Sequence, residues 1–191
     1  LNGLFYCERE KVLEKLSTAY IGRIGGRASR ILIPFTDRTG NIVGLTGRAL
    51  GSSSSLRYLT MKLGDDPLIY GLHEWDSTKH TYVCEGQFDA RFLPNAMAVG
   101  GSDLKKVTEI VDKPNTVFVF DNEPRNRDVV SKMRGLISQG FKVCIWPSAI
   151  EQKDINDMVL AGAKPSSVQK VIDLNTFSGL SAELAINDWS K

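Results

Sequence analysis

The sequence predicts an α/β fold, a parallel sheet flanked by helices and preceded by a smaller mixed α+β lobe of basic character. Three observations predict it. From Thr81 onward, apolar strand candidates (81–84, 96–99, 116–120, 141–146) alternate with helix candidates (about 87–93, 103–112, 127–139 and 154–161), the rhythm of parallel βα units. Ahead of them, two short apolar runs flank a Gly-Asn turn and read as a β-hairpin. Charge also changes along the chain: Arg23 to Lys62 holds seven basic residues against one acid, whereas Glu85 to Asp157 holds eleven acids against ten bases.

Glu8 to Leu16 has helical spacing, with Val12, Leu13 and Leu16 on one face. After Gly25-Gly26, the runs Ile31-Leu32-Ile33-Pro34-Phe35 and Ile42-Val43-Gly44-Leu45 enclose the turn Asp37-Arg38-Thr39-Gly40-Asn41. Pro34 has no amide to give a ladder, so its strand is expected at an edge or with a bulge. Gly51 and Ser52 to Ser55 form a flexible spacer before another strand, Leu56-Arg57-Tyr58-Leu59. In the second half, Asn126 is placed to cap the helix that follows it, and Gly140 to stop that helix. Segments 166–174 and 180–189 read as terminal helices, punctuated by Pro165 and Gly179. The expected division is a basic lobe over 1–79, an α/β domain over 80–163 and a helical segment over 164–191.

A chain of 191 residues with 42% hydrophobic and 24% charged residues is globular rather than disordered. No apolar run approaches the roughly 20 residues needed to cross a bilayer, and no secretory leader opens the chain, so a cytoplasmic setting without membrane attachment is expected. Cys7, Cys84 and Cys144 are scattered singly, which offers neither a zinc ligand set nor a disulfide framework, and they read as packing residues. The first residue is Leu1 rather than Met, as expected of an excised fragment or a processed product. Trp75, Trp146 and Trp189 fit core packing better than base stacking, and His73 and His80 are too isolated to form a catalytic pair.

Three acidic elements carry the chemistry. In Val83-Cys84-Glu85-Gly86-Gln87-Phe88-Asp89, Glu85 ends an apolar run and Asp89 lies one turn along the next helix, facing the same crevice. Asp121 and Glu123 follow the run Val117 to Phe120 at i and i+2, so an extended backbone would point both the same way. Lys153-Asp154-Ile155-Asn156-Asp157 follows the fourth strand candidate and its loop. Each has a plainer reading, as a strand end in water, as turn chemistry before Pro124, and as a capping box at Asp154. Strands of an open parallel sheet nevertheless end in the crevice where ligands bind, and carboxylates gathered there suit a hard cation such as Mg²⁺.

On those residues the chain resembles the Toprim domain shared by bacterial-type primases, topoisomerases and some nucleases, a Rossmann-like parallel sheet. The upstream run Ile33 to Asn41, with Gly47-Arg48-Ala49-Leu50, Arg57-Tyr58-Leu59 and Ile69-Tyr70-Gly71-Leu72, resembles the basic N-terminal lobe of DnaG-type primase cores. Asp121-Asn122-Glu123-Pro124-Arg125 and Lys153 to Met158 look most like the primases of T-even-type bacteriophages, and the likeness spans roughly 30–175. Two departures stand out: Glu123 replaces the second aspartate of the usual pair, and the zinc-binding module that precedes such cores is absent.

The resemblance implies a nucleotidyltransferase that makes short RNA primers on single-stranded DNA from ribonucleoside triphosphates. It implies two or more Mg²⁺ ions, with Mn²⁺ as a substitute and no zinc in this fragment. Asp121, Glu123 and Asp154 would be ligands, Glu85 a further ligand or the acid/base, and Asp89 a support or ligand of the cluster. Arg48 and Arg57 would touch triphosphate or template phosphates, with Lys62, Arg125 and Arg127 as further contacts. The implied partners are the template and, in the primosome, a replicative hexameric helicase, in the host cytoplasm if the chain is phage-encoded. The rivals are a Toprim nuclease or topoisomerase fragment, although nothing marks Tyr6, Tyr20, Tyr58, Tyr70 or Tyr82 as a nucleophile, and a non-catalytic α/β module that binds a nucleotide or a protein.

Overall fold

A computed structural model of the chain describes residues 30–49, 57–99 and 103–191. The expected helix over 8–16, Cys7, Tyr6, Tyr20 and the serine spacer lie outside them. The chain divides into two compact units, Leu1–His73 and Glu74–Lys191.

The first unit is built on an antiparallel sheet of three strands in the order β1 (Arg30–Thr36), β2 (Ile42–Ala49), β3 (Tyr58–Lys62). Pro34 sits on the edge strand, and the register slips between Phe35 and Thr36, so both expected accommodations of the proline are present. Asp37 closes the hairpin: its Oδ1 accepts from the Thr39 amide at 2.8 Å and the Asn41 amide at 2.9 Å, while Gly40 takes a φ of 89°. Ile33, Phe35, Val43 and Leu45 are buried. A short strand, β4 (Ile69–Tyr70), follows.

The second unit is the α/β part. Its strands are β5 (Thr81–Cys84), β6 (Ala96–Val99), β7 (Thr116–Val119), β8 (Lys142–Cys144) and β9 (Thr176–Phe177), and they run in the order β6-β5-β7-β8-β9. The pairs β5/β6, β5/β7 and β7/β8 are parallel, whereas β9 joins β8 antiparallel. The expected parallel sheet is present in β5 to β8, and β9, between the two terminal helices, adds an antiparallel edge that the sequence does not announce. Every residue of β5 and β7 is buried, as in a sheet covered on both faces.

The helices are α1 (Gln87–Arg91), α2 (Leu104–Ile110), α3 (Arg127–Ser138), α4 (Ile155–Leu160), α5 (Pro165–Leu174) and α6 (Gly179–Trp189). Asn126 caps α3 as expected, its side chain accepting from the Asp128 amide at 3.1 Å. Gly140 stops it at φ 87°, with Gly140 N–H to Ile137 C=O at 2.9 Å and Phe141 N–H to Leu136 C=O at 3.0 Å, the paired bonds of a Schellman end. Cys84 and Cys144 are buried free thiols. Trp75 and Trp146 are core residues with satisfied indoles, donating to Thr81 Oγ1 at 2.9 Å and to the Phe120 carbonyl at 2.8 Å. Among the described residues, no helix is long and apolar enough to cross a membrane.

The strand order sets the location of a crevice. From β5 the chain moves outward to β6, then returns past β5 to β7 and continues outward to β8. Connections therefore leave β5 and β7 in opposite directions, which opens a crevice beyond the carboxyl ends of those two strands.

Candidate active site

Glu85 follows β5 directly, and Asp121 lies two residues beyond β7, so the first two acidic elements meet at this switch point. The parallel register pairs Cys84 with Val119, and the Asp121 amide donates to Glu85 Oε2 at 3.4 Å. Asp121 and Glu123 converge on one cation: Lys153 Nζ stands 3.3 Å from Asp121 Oδ2 and 3.0 Å from Glu123 Oε1. Lys153 belongs to the third element, which is thereby joined to the second. A second lysine, Lys132 on α3, pairs with Glu85 Oε1 at 3.1 Å.

The remaining carboxylates serve the start of α4. Asp154 is its N-cap and accepts from the Asp157 amide at 2.7 Å, the capping geometry its sequence allowed. Asp89 is buried and reaches the same helix end from α1, accepting from the Asn156 amide at 2.9 Å. Two carboxylates thus satisfy free amides at one helix start, where the partial positive charge favours them. Gly86 leaves room for Asp89, since a Cβ there would displace Asp89 Oδ2.

Charge crowding shows in the proton affinities. Burial, followed by the charge of Glu85, pushes the Asp121 carboxyl up to about 6 against the pull of Lys153. Burial likewise pushes Asp89 up to about 7; the charges of Asp154 and Asp121 add to this, and the Asn156 amide opposes it. Glu123 is held below the usual carboxylate range by the Asn126 side chain and by Lys153. The Lys153 ammonium is raised above its ordinary value, chiefly by Glu123.

Among the described residues, no three His, Cys, Asp or Glu side chains close around a single point as a ready-made metal site. The donor set still fits a hard divalent cation. Oxygens of Asp121 and Glu123 already share one positive charge, and Glu85 beside them adds negative charge that a cation would relieve.

Asn122 had no assigned part in the sequence reading. Its side chain donates to the Ile150 carbonyl at 2.8 Å and the Gln152 carbonyl at 3.2 Å, and its amide donates to the Lys153 carbonyl at 2.6 Å. Its Oδ1 accepts from the Trp189 indole at 3.2 Å. A residue between two acids thus fixes the loop that carries Lys153 and Asp154. Its partners lie 28 to 67 positions away, so no local pattern announced it.

Of the basic candidates, Arg48, Arg57 and Lys62 belong to the first unit, and Arg125 and Arg127, both exposed, to the second. The Arg48 guanidinium donates to Tyr58 Oη at 2.8 Å and lies 5.4 Å from the centre of that ring. Arg57 is exposed next to β3, and Lys62, exposed at the end of that strand, donates to the Asp65 carbonyl at 3.2 Å. In the second unit, Tyr82 is buried with its hydroxyl donating to Asp173 Oδ1 at 2.6 Å, and burial raises its pKa, a poor setting for a nucleophile.

No protein-family model matches the chain. Over 166 residues, 85% of its length, it is 32% identical to the DNA primase of Enterobacteria phage T4, and it spans 48% of that protein. The DNA primase of Mycoplasma pneumoniae is 28% identical over 152 residues, 70% of this chain and 24% of that one. Among solved structures, the Escherichia coli primase catalytic core superposes with a TM-score of 0.60 at 21% identity, covering 82% of this chain and 55% of that one. A DnaG primase catalytic domain bound to single-stranded DNA gives 0.61 at 19% identity, over 82% and 54%. The chain therefore has the fold of DnaG primase catalytic cores, and it spans about half the length of the T4 protein and of those cores.

Proposed function

We propose that this chain, related in sequence to the T4 primase and folded like DnaG catalytic cores, is the catalytic core of a DNA primase. It makes short RNA primers on single-stranded DNA by nucleotidyl transfer. The observation that carries the reading is the convergence of Asp121 and Glu123 on one cation beside Glu85, at the switch point of a parallel sheet.

Asp121, Glu123 and Asp154 would hold Mg²⁺, or Mn²⁺ in its place, with Asp89 in support and Glu85 either as a further ligand or as the acid/base that handles the hydroxyl proton. When bound, Mg²⁺ neutralises charge on the phosphoryl oxygens and the departing pyrophosphate. The side chains do the positioning. Asn122 and Asn126 hold the loop of Asp121 and Glu123 in shape, and Asp89 with Asp154 anchors the start of α4. Lys132 pairs with Glu85, which steadies that carboxylate for either role. Lys153 exchanges its carboxylate partners for phosphate oxygens when the site fills. Arg48, Arg57 and Lys62 bind triphosphate or template phosphates, with the residues up to 79 as the basic lobe, 80–163 as the catalytic domain and 164–191 as its helical end. A replicative helicase is the partner implied by the resemblance.

The test is incubation with single-stranded DNA, Mg²⁺ and labelled ribonucleoside triphosphates. Oligoribonucleotide product supports the reading; DNA cleavage or no Mg²⁺-dependent reaction refutes it. Asp121→Asn is expected to keep single-strand binding and lose synthesis by about 100-fold or more, because the loss falls on charge developing in the transition state. Primer yield and oligonucleotide binding measured on the same preparation check both halves.

A further inference from the structure

We propose that Lys153 is an internal counter-ion that couples divalent-cation binding to triphosphate binding at this site. Its ammonium holds Asp121 and Glu123 in the free protein and competes with a divalent cation for them; once displaced, it contacts the triphosphate. The triphosphate as ligand rests on the primase reading, whereas the contest for the two carboxylates does not.

Lys153 Nζ stands 3.3 Å from Asp121 Oδ2 and 3.0 Å from Glu123 Oε1, so one ammonium bridges both acids. A second cation between the same carboxylates would meet that ammonium at close range, where like charges repel strongly. Occupancy is therefore exclusive. To leave, Lys153 must give up both ion pairs, and this loss weakens the affinity of the nucleotide-free site for a divalent cation. A ligand that receives the freed ammonium offsets the loss, so the two binding events favour each other.

The surroundings let the side chain leave while the site keeps its shape. The Lys153 side chain is 52% exposed, against 22% for Asp121 and 33% for Glu123, so the ammonium lies on the solvent side of the acids. Its backbone is fixed: the Asn122 amide donates to the Lys153 carbonyl at 2.6 Å, the Asn122 side chain to the Gln152 carbonyl at 3.2 Å, and Asp154 caps α4. The flexible lysine stem is the part left to swing. Other partners hold the acids in place. Glu123 Oε2 accepts from Asn126 at 2.8 Å, and Glu85 accepts from Lys132 at 3.1 Å and from the Asp121 amide at 3.4 Å. A displaced ammonium stays tethered beside these acids, and an anionic phosphate oxygen is the partner of matching charge.

The experiment compares wild type, Lys153→Met and Lys153→Arg at one pH, near 8. Binding of Mn²⁺ alone, without nucleotide, is read by electron paramagnetic resonance, and binding of labelled ATP is read once in EDTA and once in Mg²⁺. Lys153→Met is expected to bind Mn²⁺ about tenfold more tightly than wild type, because no ammonium has to leave. It is expected to match wild type for ATP in EDTA and to bind ATP about tenfold more weakly in Mg²⁺, having lost a charged contact. Lys153→Arg keeps the charge and gains no Mn²⁺ affinity. A lysine that only braced its loop would, on removal, lower metal and ATP affinity together. Unchanged or weaker Mn²⁺ binding by Lys153→Met overturns the proposal, as does an equal gain in Lys153→Arg. An ATP affinity that falls equally in EDTA and Mg²⁺, or in neither, also overturns it. Primer synthesis by wild type is scored separately: tighter Mn²⁺ binding by Lys153→Met without wild-type synthesis keeps the exchange and removes the primase reading. Synthesis with Mn²⁺ affinity unmoved by the substitution does the reverse.

Discussion

Asp89 shows how one side chain serves both fold and site. It is buried, accepts the Asn156 amide, and has its carboxyl pushed up to about 7 by burial. A carboxyl whose folded pKa exceeds its unfolded value favours the protonated fold, so the stability it supports is full below about 4 and is lost as pH rises through about 7. Asp89→Asn keeps an oxygen for the Asn156 amide and cannot ionise. Without divalent cation at pH 8, it is expected to be more stable than wild type, on the order of 2 kcal/mol, with the gain vanishing near pH 4. Urea titrations at the two pH values check this; a variant less stable than wild type at pH 8 would show that the charge is needed by the fold itself. The sequence placed Asp89 in the crevice by its i+4 spacing from Glu85. Its bond to Asn156 joins residues 67 apart and was not legible.

Elements with local determinants were the most legible. Helix α3 begins after Asn126 and ends at Gly140, as a cap and a left-handed stop require, and both features lie within a few residues of the boundary they set. Asn126 has a second task, since its Nδ2 donates to Glu123 Oε2 at 2.8 Å. Asn126→Ala is therefore expected to cost about 1 kcal/mol in urea denaturation and also to lower primer yield, whereas a helix cap alone would change only the first. Strand β9 marks the opposite limit. Two residues carry no periodicity, and Thr176-Phe177 becomes a strand only because Val143 and Cys144 present an open edge to it.

At the scale of the whole molecule, the charge division read from composition has a structural counterpart in each unit. The first presents Arg48, Arg57 and Lys62 around its antiparallel sheet, and the second brings Glu85, Asp121 and Glu123 together beyond the ends of β5 and β7. Asp121 and Asp89, raised to about 6 and about 7, must lose their protons before they can serve a cation. Mg²⁺ is accordingly expected to raise the thermal midpoint at pH 8 and to have little effect at pH 5.5, by mass action on the folded state; calorimetry at both pH values with millimolar Mg²⁺ checks this. Sequence alone determined the alternation of strands and helices, the hairpin with its edge proline, and the acidic residues at strand ends, because each depends on neighbours a few positions away. Tertiary structure decided which acids meet, that Lys153 lies between Asp121 and Glu123, and that Asn122 ties their loop to Ile150 and Trp189. Those contacts join segments brought together only by the strand order, and pairing across a sheet leaves no periodic trace in the chain.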